Sequence, residues 1–286
     1  MRRSFLAAVL AGLAQLALLA RAPVASAIDA PPRRAAARVA LVEGDARFLD
    51  AYGGAERRPR VGDLLYEGDR IVTGPDGEVQ LAMEDGGYLG VRPDTEVQVV
   101  AFRAEGRPDD LSVIALARGA LRAVTGWIAG GGTGGTGVVL RTPNAAIGVR
   151  GTDHEALVVP EGARNAEPGT YDRVYSGATV IESRGGELGV GAGQAGFAPL
   201  DGRGARVLER IPEVFRPTRN ERRFDGLHDR IQRELEKRRQ ERRSFNDRDQ
   251  RGDRAERSER AERPERVERV ERVEKVDRVE RVERLK

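Results

Sequence analysis

Arg70-Ile71-Val72-Thr73-Gly74-Pro75-Asp76-Gly77-Glu78-Val79-Gln80-Leu81-Ala82-Met83-Glu84-Asp85-Gly86-Gly87-Tyr88-Leu89-Gly90-Val91-Arg92-Pro93-Asp94-Thr95 sets three short runs between strong turn signals. The runs are Arg70–Thr73, Glu78–Met83 and Tyr88–Val91. In Glu78-Val79-Gln80-Leu81 apolar and polar residues alternate, as a half-buried strand requires, because successive strand side chains point to opposite faces. Gly74-Pro75-Asp76-Gly77, Asp85-Gly86-Gly87 and Arg92-Pro93-Asp94 carry turn chemistry. Glycine reaches positive φ, proline presets φ, and aspartate side chains accept from turn amides. Short strands at this spacing predict antiparallel β-structure.

The same texture extends outward in both directions. Glu96–Phe102, Leu111–Ala117, Val138–Arg141, Glu155–Val159, Ala178–Glu182 and Glu187–Val190 read as further strands. Val39-Ala40-Leu41-Val42 and Ala46-Arg47-Phe48-Leu49 flank Glu43-Gly44-Asp45 and predict a hairpin. Leu116–Ile128 is the one stretch of the body with helical spacing. The fold class expected is mainly β: one domain over residues 38–200, built as a sandwich, a roll or a solenoid-like stack, which the strand pattern does not separate. Its length suffices for one hydrophobic core. The chain has no cysteine, so neither a disulfide nor a lipidated cysteine contributes.

Beyond Leu200 the composition changes. Residues 201–219 read as a linker with apolar hooks at Val207, Leu208, Ile211, Val214 and Phe215. In residues 220–243, Phe224, Leu227, Ile231 and Leu235 form one helical stripe amid dense charge. This helix is expected to dock on the body or to pair with a second copy. Residues 244–286 are a low-complexity charged tail ending in Glu-Arg-Val triplets. A period of three winds around a helix of about 3.6 residues per turn, so no seam forms. Acids four residues ahead of Arg or Lys do support a helix, by about 0.2–0.5 kcal/mol per pair. The tail is therefore either a solvated helix or a disordered arm.

At the other end, Met1-Arg2-Arg3-Ser4 precedes an apolar run from Phe5 to Ala20 and then Ala25-Ser26-Ala27. A basic start, a short apolar stretch and a small-x-small site predict a secretory signal peptide, residues 1–27, cleaved after Ala27 with Ala25 and Ala27 as the small residues of the site. The apolar run is shorter than the ~20 residues of a spanning helix and includes Gln15. Arg2-Arg3-Ser4-Phe5-Leu6 resembles a twin-arginine core without its usual preceding Ser or Thr, which leaves the general secretory route as the default. The chain's 49 basic and 46 acidic residues become 46 of each once Arg2, Arg3 and Arg21 are removed. A basic pI is thus no argument for nucleic-acid binding. Charge is nevertheless divided: 18 basic and 24 acidic residues from Ile28 to Leu200, against 28 and 22 from Asp201 to Lys286.

The most specific motif is Arg141-Thr142-Pro143-Asn144-Ala145-Ala146-Ile147-Gly148-Val149-Arg150-Gly151-Thr152-Asp153. It resembles the FecR domain family, whose members carry a TP-x-A-x-I-G-V-R-G-T signature. Other elements follow in the family's order. They are Val61-Gly62-Asp63 and Glu67-Gly68-Asp69-Arg70-Ile71, then Asp85-Gly86-Gly87-Tyr88-Leu89 with Arg92-Pro93-Asp94-Thr95, then Leu116-Ala117-Arg118-Gly119-Ala120-Leu121, and last Gly193-Gln194-Ala195-Gly196-Phe197. The resemblance spans roughly residues 39–200. FecR regulators relay a signal from an outer-membrane transporter to a sigma factor through a cytoplasmic anti-sigma domain. Here only Met1–Ser4 precede the apolar run, so the resemblance implies a stand-alone FecR-like domain.

Read physically, Gly68, Gly86, Gly148 and Gly151 suit positions of positive φ or close backbone approach. Thr142, Pro143, Ile147, Gly148, Val149, Arg150, Gly151 and Thr152 are expected to be mainly structural. Arg150 either ties turn carbonyls together or, if exposed, reads a carboxylate on a partner. Gly132-Thr133-Gly134-Gly135-Thr136-Gly137 matches G-x-G-x-x-G but leads into a strand rather than a helix, so it reads as a surface loop. Asp153-His154-Glu155 cannot converge on one ion within a strand, and one histidine without a nucleophile makes no catalytic constellation. Trp127 reads as a core or hinge anchor. The expectation is a periplasmic or otherwise exported, non-enzymatic binding or scaffolding module without cofactor or metal. Its partner would be an envelope protein or cell-wall ligand rather than a nucleic acid, with self-association through the C-terminal helix. The alternative is a sensory component that relays through a partner protein.

Overall fold

The computed structural model of the chain describes residues 33–51, 56–130, 137–164, 166–238 and 240–241. The leader with Ala25 and Ala27, nearly all of the glycine run and the tail of residues 244–286 lie outside the described residues. The chain divides into units at residues 1–34 and 35–286, and the second is the β-body.

Fourteen strands make one continuous sheet among the described residues. They are β1 (Ala35–Glu43), β2 (Ala46–Leu49), β3 (Leu64–Tyr66), β4 (Arg70–Thr73), β5 (Glu78–Met83), β6 (Tyr88–Val91) and β7 (Glu96–Arg103). They continue with β8 (Leu111–Val124), β9 (Val138–Arg141), β10 (Ala145–Val159), β11 (Gly169–Ser183), β12 (Gly186–Gly191), β13 (Ala195–Pro199) and β14 (Arg206–Val207). Every pairing is antiparallel except β8 with β9.

Three long strands fold this sheet onto itself. The first half of β8 pairs with β7 and β9, and its second half pairs with β6 and β10. Likewise β10 pairs with β9 through its first half and with β8 through its second. β11 passes from β13 to β12 along its length. Two layers result: β3-β1-β5-β6-β8-β10-β11-β13-β14, and β2-β4-β7-β8-β9-β10-β11-β12. Each long strand changes layer at a glycine of positive φ: Gly119 (+82°), Gly151 (+57°) and Gly177 (+79°). A Cβ on Gly119 would stand 2.3 Å from Thr95 Oγ1, and one on Gly177 2.4 Å from the Gly151 carbonyl. Only glycine satisfies both demands.

One core fills the space between the layers. Val79, Leu81, Leu89, Val91 and Leu121 of the first layer pack with Phe48, Ile71, Val97, Val99, Leu140, Ile147, Val149 and Ile181 of the second. A smaller cluster of Val159, Tyr171, Ala195, Phe197 and Phe215 closes the β13 end.

Some expectations change. Glu43-Gly44-Asp45 is a tight turn, with Gly44 at φ +64°, but not a hairpin: β1 pairs with β3 and β5, while β2 pairs with β4. The turn passes the chain between layers. Residues 116–124 are strand rather than helix, and Trp127–Gly130 is a single 3-10 turn. The kink at Gly119 breaks the alternation of β8, so Leu116, Ala120, Leu121 and Val124 are all buried and mimic helical spacing. The segment expected as one helix over residues 220–243 begins as a 3-10 turn at Glu221–Phe224. Helix α1 starts only at residue 227, after Gly226 at φ +62°.

Candidate functional site

β10 alternates buried and outward-facing residues from Ile147 to Arg150, and beyond the bulge Thr152–Ala156 are all buried. Ile147 and Val149 lie in the core. Thr142 closes the β9–β10 turn: its amide donates to the Ala145 carbonyl (2.9 Å) and its Oγ1 accepts from the Ala145 amide (3.1 Å). Pro143 is exposed at that turn. The Thr170 hydroxyl lies 2.7 Å from both Thr142 Oγ1 and Asn144 Oδ1. Thr152 is fully buried, and its amide donates to Thr125 Oγ1 (2.8 Å). Gly151 has the positive φ of the bulge, as Gly68 and Gly86 have at their turns. Gly148 does not: its φ is ordinary, and a Cβ there would meet only the Val180 carbonyl at 3.9 Å. Arg150 points outward and is exposed, so it does not gather turn carbonyls. Its row on the outer face continues through Ala178 to Gly191.

Asp153, His154 and Glu155 diverge. His154, 1% exposed, turns into the core, where its Nδ1 lies 2.7 Å from Asp172 Oδ1; the Thr179 hydroxyl donates to Asp172 Oδ2 (2.5 Å). Asp153 and Glu155 turn the other way. Among the described residues no group of metal-ligating side chains assembles.

Asp153 and Glu155 belong to a cluster that the sequence reading missed. It lies on the outer face of the first layer, where Gln80, Gly90, Arg122, Glu155 and Arg173 stand side by side on β5, β6, β8, β10 and β11. Arg122 grips Asp153 with two parallel bonds, Nε to Oδ1 (2.9 Å) and Nη2 to Oδ2 (2.7 Å). Arg92 Nε lies 2.5 Å from Glu155 Oε1, and Tyr175 donates to Glu155 Oε2 (2.8 Å). Both guanidinium groups also donate to Glu221, Arg92 Nη1 to Oε2 at 2.8 Å and Arg122 Nη1 to Oε1. The Arg122 guanidinium is sandwiched between the rings of Tyr175 (4.0 Å) and Phe224 (4.7 Å). Phe224 rests on Gly90, where a Cβ would meet its Cζ at 2.6 Å, and meets Tyr88 edge to face. Nearby, Asn220 Nδ2 donates to Glu43 and Glu78 at 3.1 Å each.

Two guanidinium groups thus face three carboxylates. Burial pushes the Glu155 carboxyl above its ordinary pKa, the charge of Glu221 adds to this, and Arg92 offsets only part. For Glu221 burial acts in the same sense, but the hydrogen bonds and charges of Arg92 and Arg122 outweigh it and hold the carboxyl below its usual range. The available signal was alternation, which puts Glu78 with Gln80, Tyr88 with Gly90, and Asp153 with Glu155 on one face of their strands. Nothing local says that residues 221–224 cover them. Elsewhere, burial raises Asp85 to about 6 although the Gly87 amide donates to it (3.0 Å).

Residues 69–178 match the family model described as FecR protein. Two crystal structures of a "putative anti-sigma factor" from Parabacteroides distasonis ATCC 8503 are similar to the chain at 12% identity and a TM-score of 0.40. Each likeness covers 50% of this chain and 61% of the other, so the chain spans about three fifths of those neighbours. No curated protein matches it. Among the described residues, no helix is long and apolar enough to cross a membrane. Arg92, Arg122, Asp153, Glu155 and Tyr175 fall inside the matched window; Glu221 and Phe224 fall outside it.

Proposed function

We propose, from the match of residues 69–178 to the FecR family model, that the chain is an exported, non-enzymatic binding module of the bacterial envelope that recognises a protein or cell-wall ligand. The observation that carries the reading is the outer row of β10. Arg150 stands exposed beside Gly148, where neither backbone conformation nor packing within this chain demands glycine. A flat strip of small residues next to an arginine offers close backbone approach and a fork for a carboxylate. Against catalysis stands the placement of His154, which lies in the core against Asp172 and out of reach of a substrate.

The test is a photo-crosslinking residue at Ala178, opposite Arg150, in the full-length protein in its native envelope. A reproducible adduct to one envelope component, lost when Arg150→Glu is added, is the expected result. Adducts that are unchanged by Arg150→Glu would overturn this face as the recognition surface. The FecR match also favours a sensory reading, in which the bound partner passes a signal on. In that case Arg150→Glu alters the expression of a defined gene set, whereas in a scaffold it leaves transcription unchanged.

A further inference from the structure

The segment that follows the second small core is held to the body by few side chains. Between Asp201 and residue 238, Phe215, Phe224 and Leu235 are the buried residues. Phe215 belongs to the cluster with Tyr171 and Phe197. Glu221 and Phe224 lie on the Arg92–Arg122 face, and farther on the Arg238 guanidinium sits 6.0 Å from the Trp127 ring. Asn220 also donates to Glu43 and Glu78, so between the anchors Phe215 and Asn220 run only residues 216–219, of which Arg216, Pro217 and Arg219 are exposed. Segments with few buried contacts open at a small fraction of the global free energy.

The face beneath is built without its occupant. Arg122 is already bound twice by Asp153 and stacked on Tyr175, and Arg92 is already paired with Glu155. Gly90 leaves a seat for a ring beside Tyr88. All of these groups sit on strands of the first layer except Arg92, which directly follows β6. Glu221 adds a third carboxylate to two guanidinium groups that the sheet has already neutralised. The occupant therefore supplies shape and a bidentate anion rather than a missing charge, so its departure strands no unpaired arginine.

We propose that this face is a recognition groove for a segment bearing a carboxylate and, three residues later, an aromatic ring. It is filled in cis by Glu221–Phe224 and accepts the same segment in trans from a second copy of the chain. The second copy is the occupant because the one sequence seated there belongs to this chain, and an exchanged segment makes the same contacts in both arrangements. A short connection between two anchors favours exchange, since it restricts how the segment folds back on its own body. This inference concerns a different surface from the Arg150 row and stands independently of it.

The experiment uses full-length chains labelled separately with donor and acceptor dyes, mixed at rising concentration and read by energy transfer and light scattering. A synthetic peptide of residues 214–238 serves as competitor. The expected result is a concentration-dependent dimer whose energy transfer the peptide abolishes, while a peptide with Glu221→Ala and Phe224→Ala does nothing. A chain with the same two substitutions, its groove open, binds the wild-type peptide about tenfold or more tightly than the parent, because the cis competitor is gone. Gly90→Ala, which adds one methyl group in the seat of Phe224, abolishes both dimer and peptide binding, and circular dichroism verifies that its sheet is intact. Energy transfer that persists in Gly90→Ala would overturn the groove as the contact. Peptide binding without any dimer would overturn the second copy as occupant and assign the groove to another protein's segment. Absence of both in the parent and in the doubly substituted chain would make the segment a fixed part of the fold and end the proposal.

Discussion

Single residues show how unequal the two sides of one ion pair are. Glu221→Ala removes one carboxylate from guanidinium groups that keep Asp153 and Glu155, and a hydrogen-bonded contact of this kind contributes about 1–3 kcal/mol. Arg122→Ala instead leaves Asp153 without its bidentate donor in a buried site and Glu221 with Arg92 alone, and breaking a buried pair costs about 3–5 kcal/mol. Urea denaturation of the two variants should rank them in that order; equal costs would mean that Glu221 carries as much of the cluster as Arg122. Gly119→Ala places a methyl group 2.3 Å from Thr95 Oγ1 at a φ that L-residues rarely adopt. It is expected to lose about 2 kcal/mol or more, whereas Gly148→Ala at an ordinary φ with nothing close should change stability by less than about 0.5 kcal/mol. Asp85 gives a pH signature. Its folded pKa is raised from 3.8 to about 6, so between those values the folded state holds a proton that the unfolded state has lost. Stability therefore falls as pH rises through that window, by up to about 3 kcal/mol for a shift of this size. Asp85→Asn should remove that fall, measured as the difference between variant and parent urea midpoints from pH 4 to pH 7. A parallel pH dependence in both proteins would place its origin at another carboxylate.

At the scale of elements, β8, β10 and β11 do the architectural work, because each serves both layers and each turns at one glycine. The strand pattern was legible where a strand is short and one-sided: Arg70–Thr73, Glu78–Met83, Tyr88–Val91 and Val138–Arg141 were expected with the bounds that the structure has. It was illegible where a strand bends. In β8 the kink shifts the buried face by one residue, and in β10 the bulge between Arg150 and Asp153 does the same. Gly148 and Gly151 in the stretch 145–152 thus read as turn positions although all of it is strand. The segment of residues 216–238 buries only Phe224 and Leu235. Its amides are expected to exchange with deuterium about tenfold or more faster than those of β10 and β11. Because the Glu221 carboxyl is held below its usual range, the ion pair contributes above the ordinary carboxylate pKa and is lost as pH falls through the depressed value. Exchange in this segment should therefore rise at acid pH before exchange in the sheet does. Uniform exchange across segment and sheet would show that the two open together.

The whole molecule combines a β-body with a charged C-terminal region, and the export proposed for it is checked first at the N-terminus. Protein isolated from the envelope should begin at Ile28, read by intact mass; a chain that retains Met1 would overturn cleavage. What the sequence determined by itself is local: β-structure from alternation and turn chemistry, a stretch from Thr142 to Thr152 that resembles a family signature, and equal numbers of basic and acidic residues beyond Ala27. Those readings rest on the period of side chains along a strand and on the backbone freedom of glycine, which neighbours in the chain already set. Tertiary structure alone decided that the strands fold into two layers and that β1 and β2 part into different layers instead of pairing, because pairing partners are chosen by core packing across distances that no local pattern encodes. It alone decided that Arg150 faces outward and His154 inward, since the bulge that sets both faces depends on β11 alongside. It alone also brought Glu221 to Arg92 and Arg122, which lie 129 and 99 positions earlier in the chain. Charged residues that alternate along a strand look solvated in sequence, and they become a buried cluster only when a distant segment excludes the water.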